Sequence, residues 1–243
     1  MVSEATKERA AALKMSPEQL EVLKHLRTFR VTTAEVLREL FFPEGTAEGV
    51  KSFLQRLRAR GVIASADLYG TVDYHYLTND GLRLFGDPPR RSKALDPNAL
   101  AESYGILRFC IAKRGERTKL RKDQFSGSFP ELVARGARAT NYYLDDEEEP
   151  RRIGFVYVDR GIETSKVARR VGAVAIKKRL EHEAWRTSVI HSRRFSVGIV
   201  TPTEQKVTTL RARLEREWEF VTFRFEVVPE LLLIRDRRRH ASR

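Results

Sequence analysis

Between residues 47 and 60 the chain spaces Lys51, Ser52, Gln55, Arg56, Arg58 and Arg60 around four apolar residues, Val50, Phe53, Leu54 and Leu57. The apolar set recurs at helical intervals, so the polar set is expected on the opposite, solvent-facing side. Cations on a helix face neutralise phosphates, and a glutamine amide or an arginine guanidinium can pair with two atoms of a purine edge. This is the chemistry of reading a nucleic-acid groove. Gln55 suits adenine and Arg56 suits guanine, while Lys51, Arg58 and Arg60 suit phosphates. The acidic Glu48 in the same segment leaves a second use open, as a protein-docking face.

A second cationic group, Lys166, Arg169, Arg170, Lys177 and Lys178, falls in a segment from Thr164 to Leu180 that reads as one long helix and also carries Arg179. Such a face grips phosphates without reading bases; its other use is as a solubilising surface. Other reactive types lack a pattern. Asp145 to Glu149 is a run of five carboxylates between two β-prone segments, expected to be a solvated hairpin tip. Cys110, flanked by Phe109 and Ile111, reads as a buried thiol. A single cysteine excludes an internal disulfide and a multi-cysteine zinc site. The five histidines have no metal-ligand spacing, and no nucleotide-binding glycine loop or Ser/His/Asp spacing is present. No metal, cofactor or small-molecule substrate is therefore expected.

The elements that must position the first group are legible from their caps. Ser16-Pro17-Glu18-Gln19 opens a helix as a capping box with proline at its first position, followed by Leu20, Leu23 and Leu26. Thr32-Thr33-Ala34-Glu35 opens a second helix, holding Val36, Leu37 and Leu40. Thr46 to Gly49 opens the third, which Gly61 ends. Two β-prone runs then flank Tyr69-Gly70-Thr71 as a hairpin, and Thr78-Asn79-Asp80-Gly81 starts a short closing helix. Three helices, a hairpin and a closing helix over residues 16–86 are the layout of a winged helix-turn-helix. The segments from Leu57 to Ile63 and from Tyr76 to Gly81 resemble the corresponding pattern of bacterial winged-helix regulators. In that geometry the third helix enters the major groove of double-stranded DNA, and the hairpin, through Tyr69 and Thr71, touches an adjacent groove or the backbone. A homodimer reading two half-sites follows from the small size of such a module.

Residues 1–15 are an N-terminal extension. Gly86 to Arg91, with two prolines, marks a linker over residues 87–97. Residues 98–234 read as a mixed α/β domain and 235–243 as a loose basic tail. Leu100, Tyr104, Leu107 and Ile111 indicate a helix. Ala139 to Leu144 and Ile153 to Asp159 read as antiparallel strands, and Arg194 to Thr201 as a buried strand. Val207 to Trp218 reads as a helix, and Phe220 to Phe225 and Leu231 to Ile234 as further strands.

The run from Phe155 through Val158-Asp159-Arg160-Gly161 to Thr164, the basic helix after it, and Phe195 to Glu204 resemble the replication-relaxation family. The resemblance covers about residues 16–215. It implies a winged helix followed by a PD-(D/E)xK-nuclease-like domain, in proteins of plasmids and other mobile elements, some of whose relatives nick DNA. The family pattern places an acid on the first hairpin strand and a Glu-x-Asp-Arg-Gly on the second. Here those positions hold Asn141 and Tyr157, and only Asp159 stays acidic. Magnesium-dependent cleavage needs several converging carboxylates. The nuclease-like domain is therefore expected to be degenerate, without catalytic residues, unless Glu131, Glu163 and Lys166 rebuild a site around Asp159.

The chain's 243 residues and net charge of +13 fit this picture of an α+β protein with a polyanionic partner. The charge is divided unevenly: Lys and Arg outnumber Asp and Glu by 13 to 12 in residues 1–90 and by 33 to 21 in residues 91–243. No apolar run approaches the roughly 18–20 residues that span a bilayer, and no signal peptide is evident, so a cytoplasmic location is expected. Three readings stand: a sequence-specific DNA-binding regulator of a mobile element, a nicking enzyme that uses Asp159, and a protein-interaction module.

Overall fold

A computed structural model describes residues 4–12, 14–89, 93–133 and 140–241. The chain divides into two compact units, Met1–Tyr104 and Gly105–Arg243.

The first unit begins with helix α1 (Glu4–Ala12), inside the segment expected only as an extension. Helix α2 (Pro17–Phe29) starts on a complete capping box, Ser16 accepting from the Gln19 amide and Gln19 from the Ser16 amide. Helices α3 (Ala34–Phe41) and α4 (Ala47–Ala59) are capped by the hydroxyls of Thr33 and Thr46. Each cap satisfies an amide that the first helical turn leaves unpaired. Gly61 then adopts φ +70°, and Val62 N–H returns to the Leu57 carbonyl, stopping α4. Strands β1 (Ile63–Tyr69) and β2 (Val72–Leu77) form an antiparallel hairpin. Thr32, between α2 and α3, pairs with His75 of β2 as an isolated bridge beside the two-stranded hairpin. Helix α5 (Asn79–Leu84) closes the unit under a Thr78 cap. The core gathers Val22, Leu23, Leu26, Leu37, Leu54 and Leu57 with Val62, Leu77 and Leu82. Asp87, in the expected linker, is held by two hydrogen bonds of 2.7 Å from Arg27.

Helix α6 (Pro97–Ala112), capped by Asp96, leads into the second unit. That unit is built on a five-stranded mixed sheet in the order β3-β4-β5-β6-β7. Strands β3 (Arg117–Lys119), β4 (Tyr142–Asp145) and β5 (Arg152–Val158) are antiparallel neighbours. Strands β6 (Phe195–Thr201) and β7 (Thr222–Val227) run parallel to β5. Parallel neighbours require crossover connections. The first contains α8 (Thr164–Arg170), a π-helical turn (Val171–Lys177) and the short helices α9 (Lys178–Leu180) and α10 (Glu183–Trp185). The second is α11 (Glu204–Glu217). Between α6 and β4 lies α7 (Lys122–Ser128).

The β6 residues are buried without exception. One sheet face carries Phe155, Phe195, Val197 and Ile199 into a core with Val167, Val171, Trp185, Leu210 and Leu214. On the other face Phe109 of α6 lies over Gly198, where a Cβ would come within 2.4 Å of the ring.

Several sequence expectations need correction. The first hairpin strand begins at Tyr142, because Asn141 adopts a left-handed φ of 70° that a strand cannot contain; Ala139 lies outside the described residues. Leu231 to Ile234 are not a strand. They belong to helix α12 (Glu230–Ala241), which also takes in most of the expected loose tail. The helix expected over residues 164–180 widens into a π turn. Its buried pairs, 167/168, 171/172 and 175/176, recur every four residues. That interval exceeds the about 3.6 residues of an α turn, and the wider turn keeps the pairs on one face. Among the described residues no helix is long and apolar enough to cross a membrane.

Candidate nucleic-acid interface

Helix α4 buries Val50, Phe53, Leu54 and Leu57 and exposes Lys51, Ser52, Gln55, Arg56, Arg58 and Arg60, as its periodicity requires. The exposed residues are not equivalent. Arg60 donates to the Gln19 side chain at 2.9 Å and to the Lys14 carbonyl at 3.3 Å, tying α4 to the start of α2. Sequence reasoning assigned it to phosphate; both of these bonds are made by its Nη1. Lys51 pairs with Glu48 at 2.8 Å, both well exposed. The Arg56 guanidinium stands 6.0 Å from the Phe53 ring, drawn toward the buried edge of the helix. Arg58 lies close enough to His75 for its charge to oppose protonation of that imidazole. Ser52 and Gln55 form no hydrogen bond with another described residue.

The hairpin presents Tyr69, half-buried, and Thr71, exposed, around Gly70 at φ +53°. Directly below this turn Asp67 and Asp73 face each other across the two strands. No lysine or arginine occurs from Gly61 to Leu82. Sequence reasoning noted the turn and missed the facing carboxylates, which appear only once the strand register is known.

Two buried histidines meet at Thr32. The His25 Nε2 lies 3.1 Å from the Thr32 hydroxyl, and the His75 backbone makes both bridge hydrogen bonds to Thr32. Burial pushes each imidazole down to about 4. The His75 Nδ1 is buried without a partner.

In the second unit Lys166, Arg169, Arg170, Lys177 and Lys178 are all exposed along α8, the π turn and α9. Lys166 pairs with Glu163 at 3.2 Å. Arg170 lies beside the Tyr157 hydroxyl, whose pKa burial raises and the guanidinium opposes. Arg179 is not part of this face. It is buried, donates to the Val174 and Ala175 carbonyls and the Tyr142 hydroxyl, and stands over the rings of Tyr142, Phe155, Trp185 and Phe195.

Asp159, the one acid retained from the nuclease pattern, is fully buried at the end of β5. Its Oδ1 accepts from the Gly161 and Ile162 amides at 2.9 and 3.1 Å. Its Oδ2 accepts from Lys206 of α11 at 2.7 Å and from the Thr201 hydroxyl at 3.4 Å. Lys206 also donates to the Ile162 carbonyl at 2.6 Å. The carboxylate anchors the turn into α8, and its ion-pair partner is Lys206, not Arg160. Asn141 sits at the left-handed residue before β4 and Tyr157 near the end of β5; neither supplies an anion. Glu163 is engaged by Lys166, with Ser165 donating to the same carboxylate, and Glu131 is exposed on the short turn after α7. Among the described residues no three His, Cys, Asp or Glu side chains are grouped to hold a metal ion.

The acidic run is a solvated tip only at Glu148 and Glu149. Asp145 is fully buried and Arg224 of β7 donates to it at 3.2 Å and to Glu148 at 3.2 Å. Arg117 bonds Glu147, the Phe109 carbonyl and Glu226. Two arginines distant in sequence, Arg117 and Arg224, hold its inner end, a pairing that local patterning does not reveal, while Arg151 and Arg152 pair locally with Asp146 and Glu148. Cys110 is buried as expected, its thiol pushed up to about 12 by desolvation.

Comparison with protein-family models, with curated proteins and with solved structures found no match; the resemblance of residues 155–164 and 195–204 rests on those residues alone.

Proposed function

We propose that this chain binds double-stranded DNA sequence-specifically, with residues 16–86 acting as a winged helix-turn-helix. The observation that carries the reading is the exposed face of α4, where Ser52 and Gln55 are unengaged and Lys51, Arg56 and Arg58 flank them. The order α2, α3, α4, hairpin, with the Thr32–His75 bridge tying the start of α3 to the hairpin, supports a winged helix. The order α6-β3-β4-β5-α8-β6 suits a PD-(D/E)xK-like scaffold. Asp159, with four hydrogen-bond donors, favours a scaffold that grips rather than cuts. The cationic face of α8, the π turn and α9 supplies sequence-independent phosphate contacts, in the half of the chain that holds nearly all the net charge. On this reading the protein acts as a homodimer on paired half-sites and regulates transcription, replication or transfer of a plasmid or other mobile element.

The test is fluorescence anisotropy of the full chain on duplexes enriched from a randomised pool, across a salt series and with and without magnesium. Site-selective, salt-dependent binding that leaves supercoiled plasmid intact is the expected result. A magnesium-dependent nick abolished by Asp159→Asn would instead make the chain an enzyme. Salt-independent behaviour with no DNA retained would make it a protein-interaction module.

A further inference from the structure

We infer that the second unit binds a small α-amino acid with an apolar side chain, in a cavity of about 170 Å³ at the end of the sheet where β5 and β6 begin. The site stands whether or not the chain binds DNA. It lies apart from Asp159, which follows the other end of β5.

The floor and walls are apolar. Leu144 of β4 and Ile153 of β5 are directly opposed across the two strands, so their side chains share one sheet face and form the floor. Phe129 and Leu132 line one wall, from the end of α7 and the 3-10 turn after it (Pro130–Leu132). Val189 lines the other, from a second π turn over Arg186–Ile190. The Trp185 indole N–H donates to the Leu132 carbonyl at 2.8 Å, tying the two walled segments to each other. An apolar cavity of about 150 Å³ takes a molecule the size of benzene. This one therefore has room for a phenyl ring or a branched aliphatic chain, and such a group in place of water is favourable against these side chains.

The mouth is polar. Glu131, Arg151, Ser188 and Arg194 line it, and all four are exposed. Arg151 is already engaged, donating through Nε to Asp146. Glu131 stands on the 3-10 turn, and Arg194 on the chain entering β6, where its carbonyl accepts from the Ile153 amide at 3.0 Å. The side chains of Glu131 and Arg194 form no hydrogen bond or ion pair with each other or with another described residue. The mouth thus offers one uncompensated anion and one uncompensated cation above an apolar floor. A free α-amino acid carries both complementary charges on one carbon. Its carboxylate suits the guanidinium fork of Arg194, its ammonium the carboxylate of Glu131, and its side chain the floor. A ligand with one charge leaves the other rim group unanswered, and a ligand without apolar bulk leaves the floor wet.

The experiment is a ligand-observed saturation-transfer NMR titration of the full chain with four probes: L-phenylalanine, glycine, 3-phenylpropanoate and 2-phenylethylamine. Phenylalanine is expected to bind with a Kd of about 0.1–1 mM, and the three partial ligands about tenfold or more weakly than that. Glu131→Gln should remove the preference for phenylalanine over 3-phenylpropanoate, and Arg194→Gln the preference over 2-phenylethylamine. Both side chains are exposed, so the urea midpoint of each variant should stay where it is. Ser188→Trp, which sets an indole at the mouth, should abolish binding. Absence of saturation transfer to all four probes would overturn the inference. Equal affinity for phenylalanine and glycine would reduce the site to a pair of surface charges and overturn it too. Affinity for phenylalanine that is indifferent to Glu131→Gln and Arg194→Gln, or to Ser188→Trp, would place the ligand elsewhere with the same consequence.

Discussion

The guanidinium of Arg117 and the carboxylate of Glu226 meet at 3.2 Å, although β3 and β7 are the two opposite edges of the sheet. Only a strongly coiled sheet brings its edges within one side chain's reach. Arg117 lies over the Phe109 ring at 4.0 Å and also pairs with Glu147, so one buried cation serves both edges and the helix between them.

Arg117→Met should therefore destabilise the second unit by about 3–5 kcal/mol, because it leaves Glu147 facing Asp145 with one cation fewer. Urea denaturation of the full chain, followed by tryptophan fluorescence, measures this: both tryptophans, Trp185 and Trp218, lie in this unit. An unchanged midpoint would mean that the edge-to-edge pair contributes nothing to closure.

Asp159→Ala should cost stability for a related reason. It removes the acceptor for two turn amides and leaves Lys206 without its carboxylate. A loss of about 3 kcal/mol or more is expected for a broken buried pair. The companion variant Asp159→Ala/Lys206→Met should recover part of it. No recovery in the double variant would show that the turn amides, not the ion pair, dominate.

Acid should loosen the first unit through its two buried histidines. His25 and His75 are depressed to about 4 in the folded chain. Their ordinary value is about 6.5, so the unfolded state binds protons first. Stability is complete above that value and falls as the pH drops from about 6.5 toward 4. Between pH 7 and pH 5 the loss is about 2 kcal/mol per histidine. His75→Gln should flatten this dependence; an unaltered slope in chemical denaturation across that range would exclude His75 as its source.

Neutralising Lys166, Arg169, Arg170, Lys177 and Lys178 to glutamine should lower DNA affinity for all sequences alike. The slope of log K against log salt should shrink by about 0.9 for each residue that contacts a phosphate. Arg56→Ala should behave the same way, costing specific and unspecific duplexes equally. A loss confined to the selected site would instead restore Arg56 as a base reader.

Helices α2, α3 and α4 were legible because their caps are local, whereas α1, which has no such cap, was not. Ser16, Thr33 and Thr46 stand within three residues of the amides they satisfy, so spacing alone exposes them. The strands at 153–159 and 195–201 were legible as β-branched and aromatic runs. What failed was non-local. Leu231 to Ile234 has a strand's composition, but Pro229 and Glu230 begin a turn that continues as a helix. Asp159, Asp145 and Arg179 each have a partner between 37 and 79 positions away, and no window on the sequence contains them all. The bond of Arg60 to Gln19, 41 residues earlier, was illegible for the same reason.

Ser52, Gln55 and Ala59 are exposed on α4 and take no part in its caps. Substitutions at such surface positions usually leave stability within about 0.5 kcal/mol. The exposed face of α4 is thus free to change its chemistry while the core that displays it stays as it is.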